Sequence, residues 1–178
     1  MNTVVVNLFA GPGAGKSTMA AGLFYALKSR DIPSELVTEY AKDLMWRTNG
    51  SFNLPQLYIF AKQHERVSRL IGKVRVVVTD SPLLLTEIYD SENNTVLHAL
   101  ALYEHTKHKS LNFLVRRVKR YFTYGRSQTE TEALEIDDKI FKMLLKYEIP
   151  FQYISGDIRG LEILTNTVVG YLETSDPV

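Results

Sequence analysis

The sequence predicts a three-layer α/β fold built on a five-stranded parallel sheet, and three observations predict it. Short β-branched or apolar runs recur five times along the chain, and each is followed by a stretch of helical composition. The most strand-like of them, residues 74–79, is continuously apolar apart from Arg75, as strands covered on both faces are. Parallel neighbours need long crossovers, which helices supply. A chain of 178 residues, 45% of them hydrophobic and 23% charged, can bury a core without staples, so one domain spanning residues 1–178 is expected.

The elements follow in order. Residues 4–9 form the first strand, a glycine-rich turn follows, and residues 16–29 are helical in composition. Pro33 introduces a second strand at 34–37, and a helix containing Ala41, Leu44 and Met45 comes after Glu39. Residues 55–71 suit a helix with Leu57, Ile59, Phe60, Val67, Leu70 and Ile71 inward and Gln63, His64, Glu65 and Arg66 on a polar side, ended by Gly72. The third strand, 74–79, stops at Asp80. Helices are expected at 83–89 and 96–105, a fourth strand at 111–115, a helix at 131–147, a fifth strand at 151–154 after Pro150, and a closing helix at 161–172. No repeat, linker or low-complexity tract interrupts this alternation.

Composition narrows the function classes. A net charge of +1 argues against a uniformly basic nucleic-acid coat. The absence of cysteine removes disulfides, thiolate metal sites and cysteine nucleophiles, and suits a reducing cytoplasm. The start of the sequence runs into a strand with neither a basic leader nor an apolar stretch of membrane length, so a cytoplasmic protein is expected.

The chemistry is concentrated in Ala10-Gly11-Pro12-Gly13-Ala14-Gly15-Lys16-Ser17, which fits the Walker A pattern with alanine at its first position. Glycines let the loop wrap so that successive backbone N–H groups face phosphate oxygens, and the following helix turns its positive end to the same anion. Gly11 to Ser17 together with Thr18 are therefore expected to hold ATP. Lys16, expected as an exposed loop side chain, would reach the β and γ phosphates, and the Ser17 hydroxyl would ligate Mg2+. Asp80, delivered by a buried strand to the carboxyl edge of the sheet, is the Walker B candidate for the metal or for a proton.

Glu39 occupies the matching place after the second strand and is the candidate general base, with Asp43 a lesser one. Arg116, Arg117, Lys119, Arg120 and Arg126 crowd one segment with Tyr121, Phe122 and Tyr124. As a lid over residues 116–127, it would bring Arg116, Arg120 or Arg126 to the transferred phosphate; a solvated surface or a groove for single-stranded DNA is the rival. The acids Glu130, Glu132, Glu135, Asp137 and Asp138 follow and would partly cancel that field. Gly156 and Asp157 could let backbone approach adenine, and Tyr40, Trp46, Phe52, Tyr58 and Phe60 could wall an acceptor pocket. The four histidines show no metal-ligand spacing.

These motifs, in this order, resemble the P-loop kinase family of the ribosylnicotinamide kinase domain in bacterial NAD-regulator proteins, including small bacteriophage-encoded relatives. Gly11 to Ser17 looks like its ATP site, Glu39-Tyr40-Ala41-Lys42-Asp43 resembles its Glu-Tyr-Gly-Arg-Asp segment, and Thr79-Asp80-Ser81 resembles its Asp-Thr-Asp. Gly125-Arg126-Ser127 is similar to the lid's end, and residues 141–147 running into Ile149-Pro150-Phe151-Gln152-Tyr153 look like its closing helix and last strand. Here Ala41-Lys42 replaces the family's Gly-Arg pair, and one acid stands at the third strand where the relative has two. The resemblance implies a kinase of a nucleoside-like hydroxyl acceptor using Mg-ATP, in the host cytoplasm if phage-encoded. It leaves two alternatives: a phage-type DNA kinase acting on a hydroxymethylated base, and a regulatory ATPase or nucleotide switch.

Overall fold

The computed structural model describes residues 2–48, 54–118 and 129–175. Among these, β1 (Val4–Phe9), β2 (Ser34–Val37), β3 (Val76–Thr79), β4 (Ser110–Arg116) and β5 (Gln152–Ser155) form one sheet in the order β2-β3-β1-β4-β5, every neighbouring pair parallel. The helices are α1 (Lys16–Lys28), α2 (Tyr40–Arg47), α3 (Gln56–Ser68), α4 (Leu85–Tyr89), α5 (Thr95–Thr106), α6 (Glu130–Lys146) and α7 (Ile158–Ser175). The expected three-layer fold is the one observed.

Strand alternation decides which helices cover which face. Val4, Val6 and Leu8 of β1 point with Val76, Val78, Phe113 and Val115 into the layer formed by α1 and α7, where Leu23, Leu27 and Leu164 are fully buried. Phe9 and Leu114 point the other way, toward Ile140, Met143 and Leu144 of α6 and Leu84 and Leu85 at the start of α4. Val5, Val37 and Val77 meet Val67 of α3 on that same side. Truncating any of the fully buried leucines to alanine should cost about 2–5 kcal/mol.

Of the boundaries that differ from expectation, two do so for clear local reasons. The helix expected through residue 71 stops at Ser68, because the chain closes into successive turns, with Leu70 N–H donating to Val67 O and Lys73 N–H to Leu70 O, and Gly72 at φ 80°. Leu70 and Ile71 still pack on the core, which is why their apolar spacing read as helix. The last helix begins at Ile158, earlier than residue 161, because Asp157 accepts the Gly160 N–H at 2.9 Å and starts the turn. Helix α6 opens with a capping box in which Thr129 and Glu132 bond each other's backbone N–H groups.

Because all five strands run the same way, their carboxyl ends share one edge. The register pairs Asn7 of β1 and Val37 of β2 with Thr79 of β3. The loop after β1, Glu39 after β2 and Asp80 after β3 are therefore neighbours across the sheet edge, where ligands of open α/β sheets bind.

Candidate active site

The loop between β1 and α1 turns at Gly13 and Gly15, whose φ values of 79° and 101° lie in the left-handed region that only glycine adopts freely. Gly15 is also the N-cap of α1, so the first N–H groups of that helix face the loop's interior. Lys16 folds back along the loop, its Nζ donating to Ala10 O at 2.6 Å and to Gly11 O at 3.2 Å. The exposed lysine expected from the sequence is instead half-buried. Burial pushes its ammonium below the usual lysine value, against the opposing charges of Glu39, Asp80 and Asp137. A desolvated, flexible cation held by two carbonyls is poised to exchange them for phosphate oxygens.

Ser17 Oγ donates to Asp80 Oδ2 at 2.5 Å. Asp80 is 2% exposed, and its other oxygen, Oδ1, is buried with no hydrogen-bond partner among the described residues. A buried carboxylate oxygen left over in this way suits a hard cation. Among the described residues no three His, Cys, Asp or Glu side chains cluster to cage a metal by themselves. The donor set thus fits Mg2+ arriving with phosphate and water.

A cavity of about 720 Å³ begins at Pro12, Gly13, Gly15, Lys16, Ser17 and Thr18 and extends away from the loop. It is also lined by Trp46 and Met45 of α2, Ile59 and Phe60 of α3, and Leu83, Thr86 and Tyr89 beside and on α4. Glu39 and Lys42 also line it. Burial raises the Glu39 carboxyl above the ordinary glutamate range; Lys16 and Lys42 oppose the shift, and Asp80 and Asp43 add to it. Tyr89 is likewise pushed well up, by burial first and then by Glu39 and Asp137.

The remaining residues expected at the site divide. Trp46 and Phe60 do wall the cavity, whereas Tyr40 and Tyr58 bond each other through their hydroxyls at 3.2 Å and are not among its lining. Phe52, Arg120 and Arg126 lie outside the described residues, as do Lys119, Tyr121, Phe122 and Tyr124. Arg116 stacks its guanidinium 4.1 Å from the Tyr153 ring, away from the cavity, and Arg117 pairs with Asp137 at 3.0 Å. Asp43 is paired with Arg66. Gly156 packs against the loop: its N–H donates to Arg116 O, and a Cβ there would collide with the Ala14 carbonyl. Asp157 is occupied with Ser155 Oγ and Gly160 N–H.

Three residues at the site were not singled out for it in the sequence. Gln63, assigned there to a polar outer face, is 4% exposed and points inward, accepting the Tyr40 N–H at 2.9 Å and so holding the peptide after Glu39. Tyr89 and Asp137 gave no motif; only their positions in three dimensions bring Tyr89 to the cavity and Asp137 to the loop.

A family model described as an AAA domain matches residues 5–159. The chain belongs to that family. No curated protein matches its sequence. Among solved structures it is similar to thymidylate kinase from Ehrlichia chaffeensis, at TM-score 0.62 and 13% identity over 97% of this chain and 100% of that one. It is also similar to the NadR protein in complex with NR, at TM-score 0.69 and 16% identity over 95% of this chain and 50% of that one. At these identities the likeness is one of fold. In fold, it bears out the resemblance to the P-loop kinases of the NAD-regulator kind. Among the described residues no helix is long and apolar enough to cross a membrane.

Proposed function

We propose that the protein is an ATP-dependent kinase that transfers the γ-phosphate to a hydroxyl of a nucleoside-like acceptor. The observation that carries this is the cavity, whose lining joins the nucleotide loop and a desolvated Glu39 to apolar and aromatic side chains of α2 and α3. An ATPase needs only room for water. Lys16 and the loop N–H groups would hold the β and γ phosphates, and Ser17 and Asp80 would hold Mg2+, which supplies charge neutralisation at the phosphates when bound. Glu39 takes the proton of the acceptor hydroxyl as its oxygen bonds to the γ-phosphorus. The bond to the β–γ bridging oxygen breaks and ADP departs with the electron pair. Trp46 and Phe60 offer rings against which a planar base can lie.

A second reading keeps the chemistry and changes the acceptor. Trp46 is 60% exposed at the cavity rim, next to Lys42, which favours a base presented from DNA whose backbone stays outside. A nucleotide switch that passes phosphate only to water remains the reading closest to the AAA-domain description alone. An ATP-turnover screen with ribosylnicotinamide, nucleosides, mononucleotides and hydroxymethylated single- and double-stranded DNA tests all three. Acceptor-dependent turnover with a small nucleoside supports the first reading. Turnover dependent on DNA supports the second, and acceptor-independent turnover supports the switch.

A further inference from the structure

The peptide joining Ala10 to Gly11 has both of its polar groups occupied by charged side chains. Its carbonyl accepts Lys16 Nζ at 2.6 Å, and its N–H donates to Asp137 Oδ1 at 2.5 Å. In a trans peptide the C=O and N–H point in opposite directions, so Lys16 and Asp137 grip one plane from its two sides. The second oxygen of Asp137 accepts from Arg117 Nη2 at 3.0 Å. Arg117 immediately follows β4, and its side chain is 10% exposed. Charge-assisted bonds of this kind are about twice as strong as neutral ones. Helix α6 also presses on the loop itself: a Cβ on Gly11 would lie 2.6 Å from Ala133 O and 3.3 Å from the Ile136 side chain. Only a residue without a side chain lets the helix come this close.

We propose that Asp137 is a positioning residue for nucleotide binding, fixing the first peptide of the loop and thereby the place where Lys16 waits for phosphate. The proposal rests on the reading of this loop as an ATP site. It touches neither the acceptor nor the reacting atoms. If the peptide turns, Ala10 O leaves Lys16, and the wall of the phosphate nest turns with it. Through Arg117 the same carboxylate ties the loop to the end of β4, the strand that begins the basic segment.

The sign of the effect separates this role from simpler ones. A carboxylate that acted only through its charge near an anion site would oppose ATP, so removing it would tighten binding. A carboxylate that served only the surface of α6 would change nothing. A positioning carboxylate should be replaceable in part by asparagine, whose single amide oxygen can still accept the Gly11 N–H although its NH2 then meets Arg117.

The test is calorimetric ATP affinity, without acceptor, for wild type, Asp137→Asn and Asp137→Ala, alongside the amide proton shift of Gly11 by NMR. Expected is weakening by about tenfold or more in Asp137→Ala, the loss of a charge-assisted hydrogen bond, with Asp137→Asn less impaired because it keeps one acceptor oxygen for Gly11. The Gly11 amide proton should lie downfield in wild type and move upfield in Asp137→Ala. Unchanged or tighter binding in Asp137→Ala, or a Gly11 amide shift that does not move in that variant, overturns the proposal. If Asp137→Ala does not fold, an acid titration of wild type decides: a Gly11 shift that follows carboxylate protonation supports the contact, and one that does not overturns it. Failure of wild type to bind ATP would instead refute the nucleotide-site reading, and the Gly11 shift would still report on the contact.

Discussion

Ser17 Oγ and Asp80 Oδ2 lie 2.5 Å apart, joining the start of α1 to the residue that follows β3 across 63 positions of sequence. The sheet register makes this contact, because β1 and β3 are neighbours and reach the same edge. Asp80→Asn should therefore leave the fold intact and weaken the magnesium dependence of ATP binding, on the order of 10–100-fold, as loss of a group that orients a metal ligand does. Titrating ATP at several magnesium concentrations reads this. Unchanged dependence would remove Asp80 from the metal.

Glu39→Gln should spare ATP binding and lower single-turnover transfer, about 10²–10⁴-fold, the range of general-base catalysis. A base must be ionised to act, and burial raises the Glu39 carboxyl, so the acid limb of kcat/KM should lie above the ordinary glutamate range. The lowered Lys16 ammonium places an alkaline limb below the usual lysine value, since phosphate needs the charged form. The glutamine variant should lose the acid limb and keep the alkaline one. Normal turnover in that variant would dismiss Glu39 as the base.

Lys16→Ala should reduce transfer by about 10²–10³-fold, the cost of removing one preorganised partner of the reacting oxygens. Stability should change little, because the lysine's two carbonyl bonds are offset by the desolvation of its ammonium. Thermal melting and ATP turnover measured on the same preparation check both halves. Wild-type turnover with the fold preserved would defeat the loop assignment.

His105 of α5 supplies a stability prediction independent of function. It is 7% exposed, packs edge-on against Phe9 with ring centroids 6.3 Å apart, and burial lowers its pKa to about 4. A depressed folded pKa contributes stability that is present above the unfolded value near 6.5 and lost as pH falls through 4. The loss attributable to this group approaches about 3 kcal/mol. Urea unfolding between pH 7 and pH 4 should show it, and His105→Leu should flatten that component. An identical pH profile in the variant would contradict the assignment.

The fold was legible because its signals are local. The continuous apolar run at β3, the glycines before Lys16 and the alternation of strands with helices each follow from neighbouring residues. The nucleotide loop was legible for the same reason. Asp137 was not: it stands in an acidic stretch whose members do different things, Asp137 holding Gly11 and Arg117, Asp138 pairing with Lys142, and Glu132 closing the α6 cap. Nothing in their order along the chain separates these roles. Gln63 misled because a polar residue among His64, Glu65 and Arg66 reads as a solvated face, whereas its amide turns inward to the backbone around Tyr40. Arg116 and Arg117 were placed in a segment read as a lid, a solvated surface or a nucleic-acid groove, and a ring stack and an ion pair hold both to the body of the fold.

If ATP's γ-phosphate leaves for a hydroxyl seated beside Glu39, a single-turnover experiment with γ-labelled ATP will follow it there. With enzyme in excess and a nucleoside acceptor that supports turnover, most of the label should appear in phosphorylated acceptor, and Glu39→Gln should slow its appearance without changing ATP affinity. Label released wholly as inorganic phosphate, at a rate indifferent to every acceptor and to Glu39, would contradict the account and leave an ATPase.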